Sequence, residues 1–187
     1  MATILPAATI IKFVTLATLS HGTRSFTEQD SSMSEHTIAL EWSKNSPDFN
    51  YETYSRTHSI TFGAVGKICG SAAPEFHGDP QCLDPEQAFV IALASCHMLT
   101  FLAIACKKGF IVERYADKAI GELGKNQQGR TAMIKVELRP EVTFSGEKIP
   151  SEEEFKSLHD RAHHSCIIAN SIASCVAVTV SPTLKQV

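Results

Sequence analysis

With 187 residues, the chain is long enough for one domain with a substantial core, or for a domain that completes its core in an oligomer. A hydrophobic content of 43% and a net charge of -3 with mixed signs fit a globular protein and give no basic footprint for nucleic acid. Six cysteines (Cys69, Cys82, Cys96, Cys106, Cys166 and Cys175) are too sparse for a disulfide scaffold and include no CxxC pair, so the expected compartment is reducing and cytoplasmic.

Residues 1–32 are Ser/Thr-rich and mildly apolar, with no acid before Glu28. They read as a dispensable extension, or a targeting segment, ahead of a single domain at 33–187. Lys12 interrupts their apolar run, which is too short for a membrane span of about 20 residues.

From His36 to Trp42 the residues alternate as in a half-buried strand, and Asn45-Ser46-Pro47-Asp48 reads as a turn. A second strand is expected over Tyr54 to Phe62 and a third from Val65 to Cys69, followed by a Pro/Gly-containing loop from Ser71 to Asp84. Asp84 as N-cap, Pro85 at the first helical position and Gln87 three residues after the cap predict a helix that runs to Lys107, Lys108 and Gly109. Nearly every residue from Phe89 to Ala105 is apolar or small, so this helix is expected to be central and buried all round.

Strands are then expected over Asp117 to Leu123 and Arg130 to Val142, joined by the turn Lys125-Asn126-Gln127-Gln128-Gly129. Ser151 with Glu154 forms a capping box for an amphipathic helix reaching Cys166 or Ala169, and Cys175 to Val180 reads as a final strand.

Two helical cysteines carry the chemistry. An apolar helix makes a thiol inert, so reactivity at Cys96 needs a nearby cation to hold the thiolate and a second sulfur to complete a redox cycle. Cys166, near the end of the second helix, is the candidate second sulfur if the helices bring the two Cα atoms within about 7 Å. The alternative is that both are ordinary core cysteines.

The run Asp84-Pro85-Glu86-Gln87, Cys96 ten residues after Glu86, and a later helix bearing Cys166 before a valine-rich strand resemble the OsmC/Ohr family of organic hydroperoxide reductases over residues 36 to 182. Ser95-Cys96-His97-Met98 and Cys166-Ile167-Ile168-Ala169-Asn170 are most similar to its OsmC-like branch. The resemblance implies an α+β fold in which antiparallel sheets wrap around two central helices in an intertwined homodimer with interfacial active sites. It further implies peroxidase chemistry: Cys96 attacks an organic hydroperoxide and Cys166 resolves the sulfenic acid. An external dithiol, such as a lipoyl-bearing protein, then resets the pair. No cofactor, metal, nucleic acid or membrane is expected.

The family also uses an arginine and a glutamate. Glu86 matches the glutamate, but ten helical residues separate it from Cys96 by roughly 15 Å, so it can act only on a Cys96 of another subunit. Its alternative role is to stabilise the helix dipole. Arg56 is the one arginine between the domain start and Cys96, and is assigned to the thiolate; the other reading is an exposed strand arginine.

His58 and His97 could position or protonate a leaving oxygen, although His97 is better read as a packed or hydrogen-bonded core residue. His159, His163 and His164 with Cys166 suggest a metal site as a competing reading, since i, i+4 spacing puts two ligands on one helix face. A Cys-His hydrolase centred on Cys96 lacks a local signature, and the remaining competitor keeps the OsmC-like fold as a non-catalytic binder of small hydrophobic molecules at the dimer interface.

Overall fold

The computed structural model describes residues 34–187 except 46, 48 and 65. The extension at 1–32 therefore lies outside the described residues, as does part of the turn at 45–48. Residues Thr37–Val187 form one unit.

Two reciprocal caps set the long helices. Asp84 accepts from the Gln87 N–H at 2.6 Å while the Gln87 side chain accepts from the Asp84 N–H at 3.4 Å, which starts α1 (Pro85–Lys107). Ser151 and Glu154 make the same exchange ahead of α2 (Glu152–Ser165). Gly109, at a φ of 77°, turns the chain just after α1.

The strands form three three-stranded sheets. The first joins β1 (Ile38–Glu41), β2 (His58–Phe62) and β3 (Gly66–Gly70), all antiparallel. The second has the order β4 (Ile111–Asp117), β7 (Pro140–Ser145), β9 (Thr183–Gln186), and the third β5 (Ile120–Lys125), β6 (Thr131–Leu138), β8 (Ala177–Val180). The antiparallel expectation holds for the first sheet only. β8 runs parallel to β6 and β9 parallel to β7, because the chain returns through α2 and the short α3 (Ile167–Ile172) before laying down its last two strands.

Other expectations also need correction. The strand expected over Arg130 to Val142 is two strands in different sheets, divided at Arg139. The one expected over Asp117 to Leu123 is β5 alone, preceded by the unforeseen β4, whose alternation is broken by an irregularity between Val112 and Arg114. β9 was likewise not foreseen. The second helix breaks at Cys166, whose extended backbone (φ -71°, ψ 117°) ends α2 and opens α3.

α1 contacts α2, α3, β4, β5 and β6. It is not buried all round within one chain: the stripe Leu93, His97, Phe101 and Ala105 is buried, whereas Ile91 and Leu99 are 55% and 60% exposed. By length and hydropathy α1 could also cross a membrane; here its buried stripe feeds two core clusters. One centres on Phe101, Phe144 and Phe155, the other on Leu93, Val136, Leu138 and Cys166.

Cys69 and Cys82, expected as free thiols, form a disulfide with Cα atoms 4.9 Å apart. A parallel bridge between Gly70 and Leu83 places them side by side, so one local pairing suffices where a cysteine-rich framework is absent.

Candidate functional site

Cys96 and Cys166 meet where α1 crosses the α2–α3 junction. Cys166 is fully buried and Cys96 half-buried, both in the cluster around Leu93 and Val136. The break in the helix at Cys166 does structural work here. Its sulfur caps α3 by accepting from the Ala169 N–H at 3.3 Å, and the first backbone N–H groups of α3 face the Cys96 sulfur.

The environments drive the two thiols apart. Burial alone would raise the Cys96 pKa, but hydrogen bonds from the Cys166 thiol, from the Ile168 and Ile167 N–H groups and from Thr100 outweigh it, leaving Cys96 below the ordinary thiol range. Burial, reinforced by the hydrogen bond it gives to Cys96, pushes Cys166 up to about 11. Of the two, Cys96 is thus the sulfur that ionises more readily. The single Thr100 hydroxyl proton is shared between the Cys96 sulfur and the Cys96 carbonyl, which lies 2.8 Å from the hydroxyl oxygen and one helical turn away.

Sequence reasoning sought a cation for Cys96. Within the chain the stabilising groups are the Cys166 thiol, the Thr100 hydroxyl and backbone N–H donors, the last of which no side-chain motif encodes. The one available signal was the Cys166-x-x-Ala169 stretch, where a small polarisable side chain can cap a short helix.

Arg56 and Glu86 lie elsewhere in the chain, at the N-terminal end of α1. The Arg56 guanidinium donates to the carbonyls of Tyr54 at 3.0 Å and Tyr51 at 2.7 Å and stacks over both tyrosine rings. It lines a 550 Å³ cavity with Leu40, Trp42, Phe49, His58 and Pro85. Glu86 lines an adjoining-element cavity of 440 Å³ with Asp84, Val90 and Met133, and its Oε2 is buried with no hydrogen-bond partner among the described residues. Since α1 is unbroken, the sequence-based separation of roughly 15 Å between Glu86 and Cys96 stands.

The histidines resolve differently. His97 is fully buried and its Nε2 lies 3.0 Å from His159 Nδ1, with the rings stacked at 5.3 Å; one ring donates its N–H to the other. Burial first, and then repulsion by His163 on His97 and by His97 on His159, lowers His97 to about 4 and His159 to about 3, so both are neutral at pH 7. Among the described residues no group of three or more potential ligands could hold a metal ion. His159 is therefore a core residue, stacked on Phe101 at 4.3 Å.

The profile of the OsmC-like protein family matches residues 78–181, a stretch that contains both cysteines and the α1 cap. The chain belongs to the OsmC-like family. It is similar to an OsmC-like protein of Vibrio cholerae of unknown function, with 42% identity and a TM-score of 0.76 over 80% of this chain and 99% of that one.

Two solved organic hydroperoxide resistance proteins share the fold of this OsmC-like chain. OsmC of Legionella pneumophila has 18% identity and a TM-score of 0.58, over 81% of this chain and 98% of its own. OhrB of Bacillus subtilis has 16% identity and a TM-score of 0.56, over 81% and 99%. No curated protein matches by sequence.

Proposed function

We propose that the protein is a cysteine-based organic hydroperoxide reductase that works as a cytoplasmic homodimer. The observation that carries the reading is the hydrogen-bonded Cys96–Cys166 pair with oppositely shifted acidities. The Cys96 thiolate attacks the terminal oxygen of ROOH; the O–O bond breaks, ROH leaves after taking a proton, and Cys96 becomes a sulfenic acid. Cys166 then attacks that sulfur. Its retained proton goes with the departing hydroxide as water, and a disulfide forms. An external dithiol, such as a lipoyl group, donates two electrons and two protons to restore both thiols.

Two apolar surfaces support a dimer. On the first sheet, Ile38, Leu40, Ile60, Phe62 and Ile68 share one face by register, and Ile38 and Leu40 are each 62% exposed. On α1, Ile91 and Leu99 are exposed one above the other with Ser95 between them. Such surfaces on a chain of this size call for a partner. A second copy of the chain also gives Arg56 and the unpartnered Glu86 oxygen a thiolate to act on, across the interface. The mostly apolar cavity beside Arg56 suits a hydrocarbon tail, each buried methylene contributing about 0.8 kcal/mol.

Steady-state turnover of cumene hydroperoxide with reduced lipoamide tests the reading. Cys96→Ser should abolish turnover, and Cys166→Ser should complete a single stoichiometric reduction and then stall as the sulfenic acid. Parental turnover in Cys96→Ser would refute it.

A further inference from the structure

The Cys69–Cys82 bond has no part in that cycle, yet it lies between the elements that carry Arg56 and Glu86. We propose that Cys69–Cys82 is a second thiol–disulfide exchange site, opened by a small thiol or dithiol, and that its closed form sets the pocket around Arg56. The second half of this proposal rests on the peroxidase reading; the first half does not.

Cys69 is the penultimate residue of β3, and Cys82 lies two residues before the N-cap of α1. Backbone hydrogen bonds reinforce the covalent link: Leu83 N–H donates to the Cys69 carbonyl and Ser71 N–H to the Leu83 carbonyl, both at 3.0 Å. Opening the S–S bond therefore leaves the strand-to-helix pairing in place, so exchange need not unfold the protein.

Access favours attack at Cys69. It is exposed and lines an open groove with Lys67, His58, Ser59 and Glu41. Lys67, two residues away on the same strand, faces the same side and its ammonium attracts an incoming thiolate. The thiolate forms a mixed disulfide with Cys69 while Cys82 departs and is protonated. The second thiol of the reductant then attacks its own sulfur in the mixed disulfide and frees Cys69. Overall, one dithiol becomes a disulfide and one protein disulfide becomes two thiols. The contrast with Cys96 and Cys166 is chemical: an oxidised pair with one exposed and one half-buried member, and a free pair with one half-buried and one buried member. In a reducing compartment a disulfide of the first kind is characteristically redox-sensing or catalytic.

The segment closed by the bond shapes both cavities. Ser71 and Ala72 line the one containing Arg56, and Ala73, Pro74 and Glu75 the one containing Glu86. It is folded tightly on itself, since a side chain at Gly78 would collide with the Ala72 carbonyl oxygen. β3 also pairs with β2, whose first residue, His58, follows Arg56 by two positions.

Two measurements test the proposal. In the first, Cys96→Ser/Cys166→Ser protein is treated with reduced lipoamide without denaturant, alkylated with iodoacetamide and mapped by peptide mass spectrometry. Cys69 and Cys82 should both be alkylated while circular dichroism stays native; protection until denaturant is added overturns the exchange site.

In the second, the oxidation of Cys96 by cumene hydroperoxide is followed in a single turnover without reductant, comparing Cys69→Ser/Cys82→Ser with the parent. The rate constant should fall by about tenfold or more, as expected when a positioning group is displaced, with the alkylation rate of Cys96 unchanged. An unchanged oxidation rate overturns the control of the pocket. If the serine pair does not fold, parent protein with the bond opened and the dithiol removed replaces it. Peroxide consumption that survives Cys96→Ser would sink the peroxidase reading and leave the alkylation result standing by itself.

Discussion

Acid should destabilise this protein through one buried contact, the His97–His159 pair. Both imidazoles have folded pKa values (about 4 and about 3) below the ordinary value of 6.5, principally because burial opposes the charged form. The unfolded chain therefore binds two protons that the folded chain refuses. Stability is full above about pH 6.5 and falls as the pH drops from there towards 4, where His97 begins to protonate in the folded state. At pH 5 the linkage costs roughly 2 kcal/mol for each histidine, or about 4 kcal/mol together, a large part of a typical domain's stability. Asp117 acts in the opposite sense, because burial raises its pKa and the folded state takes up its proton more readily.

The assay is urea unfolding followed by circular dichroism at fixed protein concentration between pH 7 and 4.5, on the parent and on His97→Leu/His159→Phe. The parent should lose stability with a slope approaching two protons near pH 5, and the double variant should lose most of that slope. Equal slopes in the two proteins would refute the reasoning.

Truncating Phe101, which is fully buried against Phe144, Phe155 and His159, should cost about 3–5 kcal/mol in urea unfolding as Phe101→Ala, with an unchanged m-value. Leu99→Glu should dissociate the proposed dimer: losing about 2 kcal/mol of burial from each of two copies weakens association roughly 1,000-fold, which sedimentation velocity reads directly. A dimer that persists in Leu99→Glu at micromolar concentration would place the interface elsewhere. Gly78→Ala should be strongly destabilising, since the added methyl meets backbone and not a flexible side chain; a thermal midpoint within a degree of the parent would contradict this.

Local chemistry decided what could be read from the sequence. α1 was legible from Asp84 to Lys107 because its start is a capping box followed by proline and its end a glycine; both signals lie within a few residues of the boundary they set. Its apolar circumference was legible too, but not that a single chain covers only the stripe through Leu93 and Phe101. That depends on what the rest of the molecule supplies.

The Cys96–Cys166 contact was expected from motif order, whereas the donors to Cys96 were not, because Ile167 and Ile168 contribute backbone N–H groups that any residue would provide. β4 escaped detection because its irregularity at Val112–Arg114 breaks the two-residue period, and β9 because its role arises from parallel pairing with a distant β7. The Cys69–Cys82 bond escaped because six scattered cysteines show no scaffold pattern, and only the Gly70–Leu83 bridge sets these two side by side.

The central claim is that Cys96 reduces a hydroperoxide and is captured by Cys166. The direct measurement treats protein whose Cys96 and Cys166 are reduced with one equivalent of cumene hydroperoxide, quenches by alkylation, and maps disulfides by peptide mass spectrometry. The account predicts a Cys96–Cys166 disulfide formed in step with one equivalent of cumyl alcohol. Unreacted peroxide with Cys96 still a free thiol would contradict it.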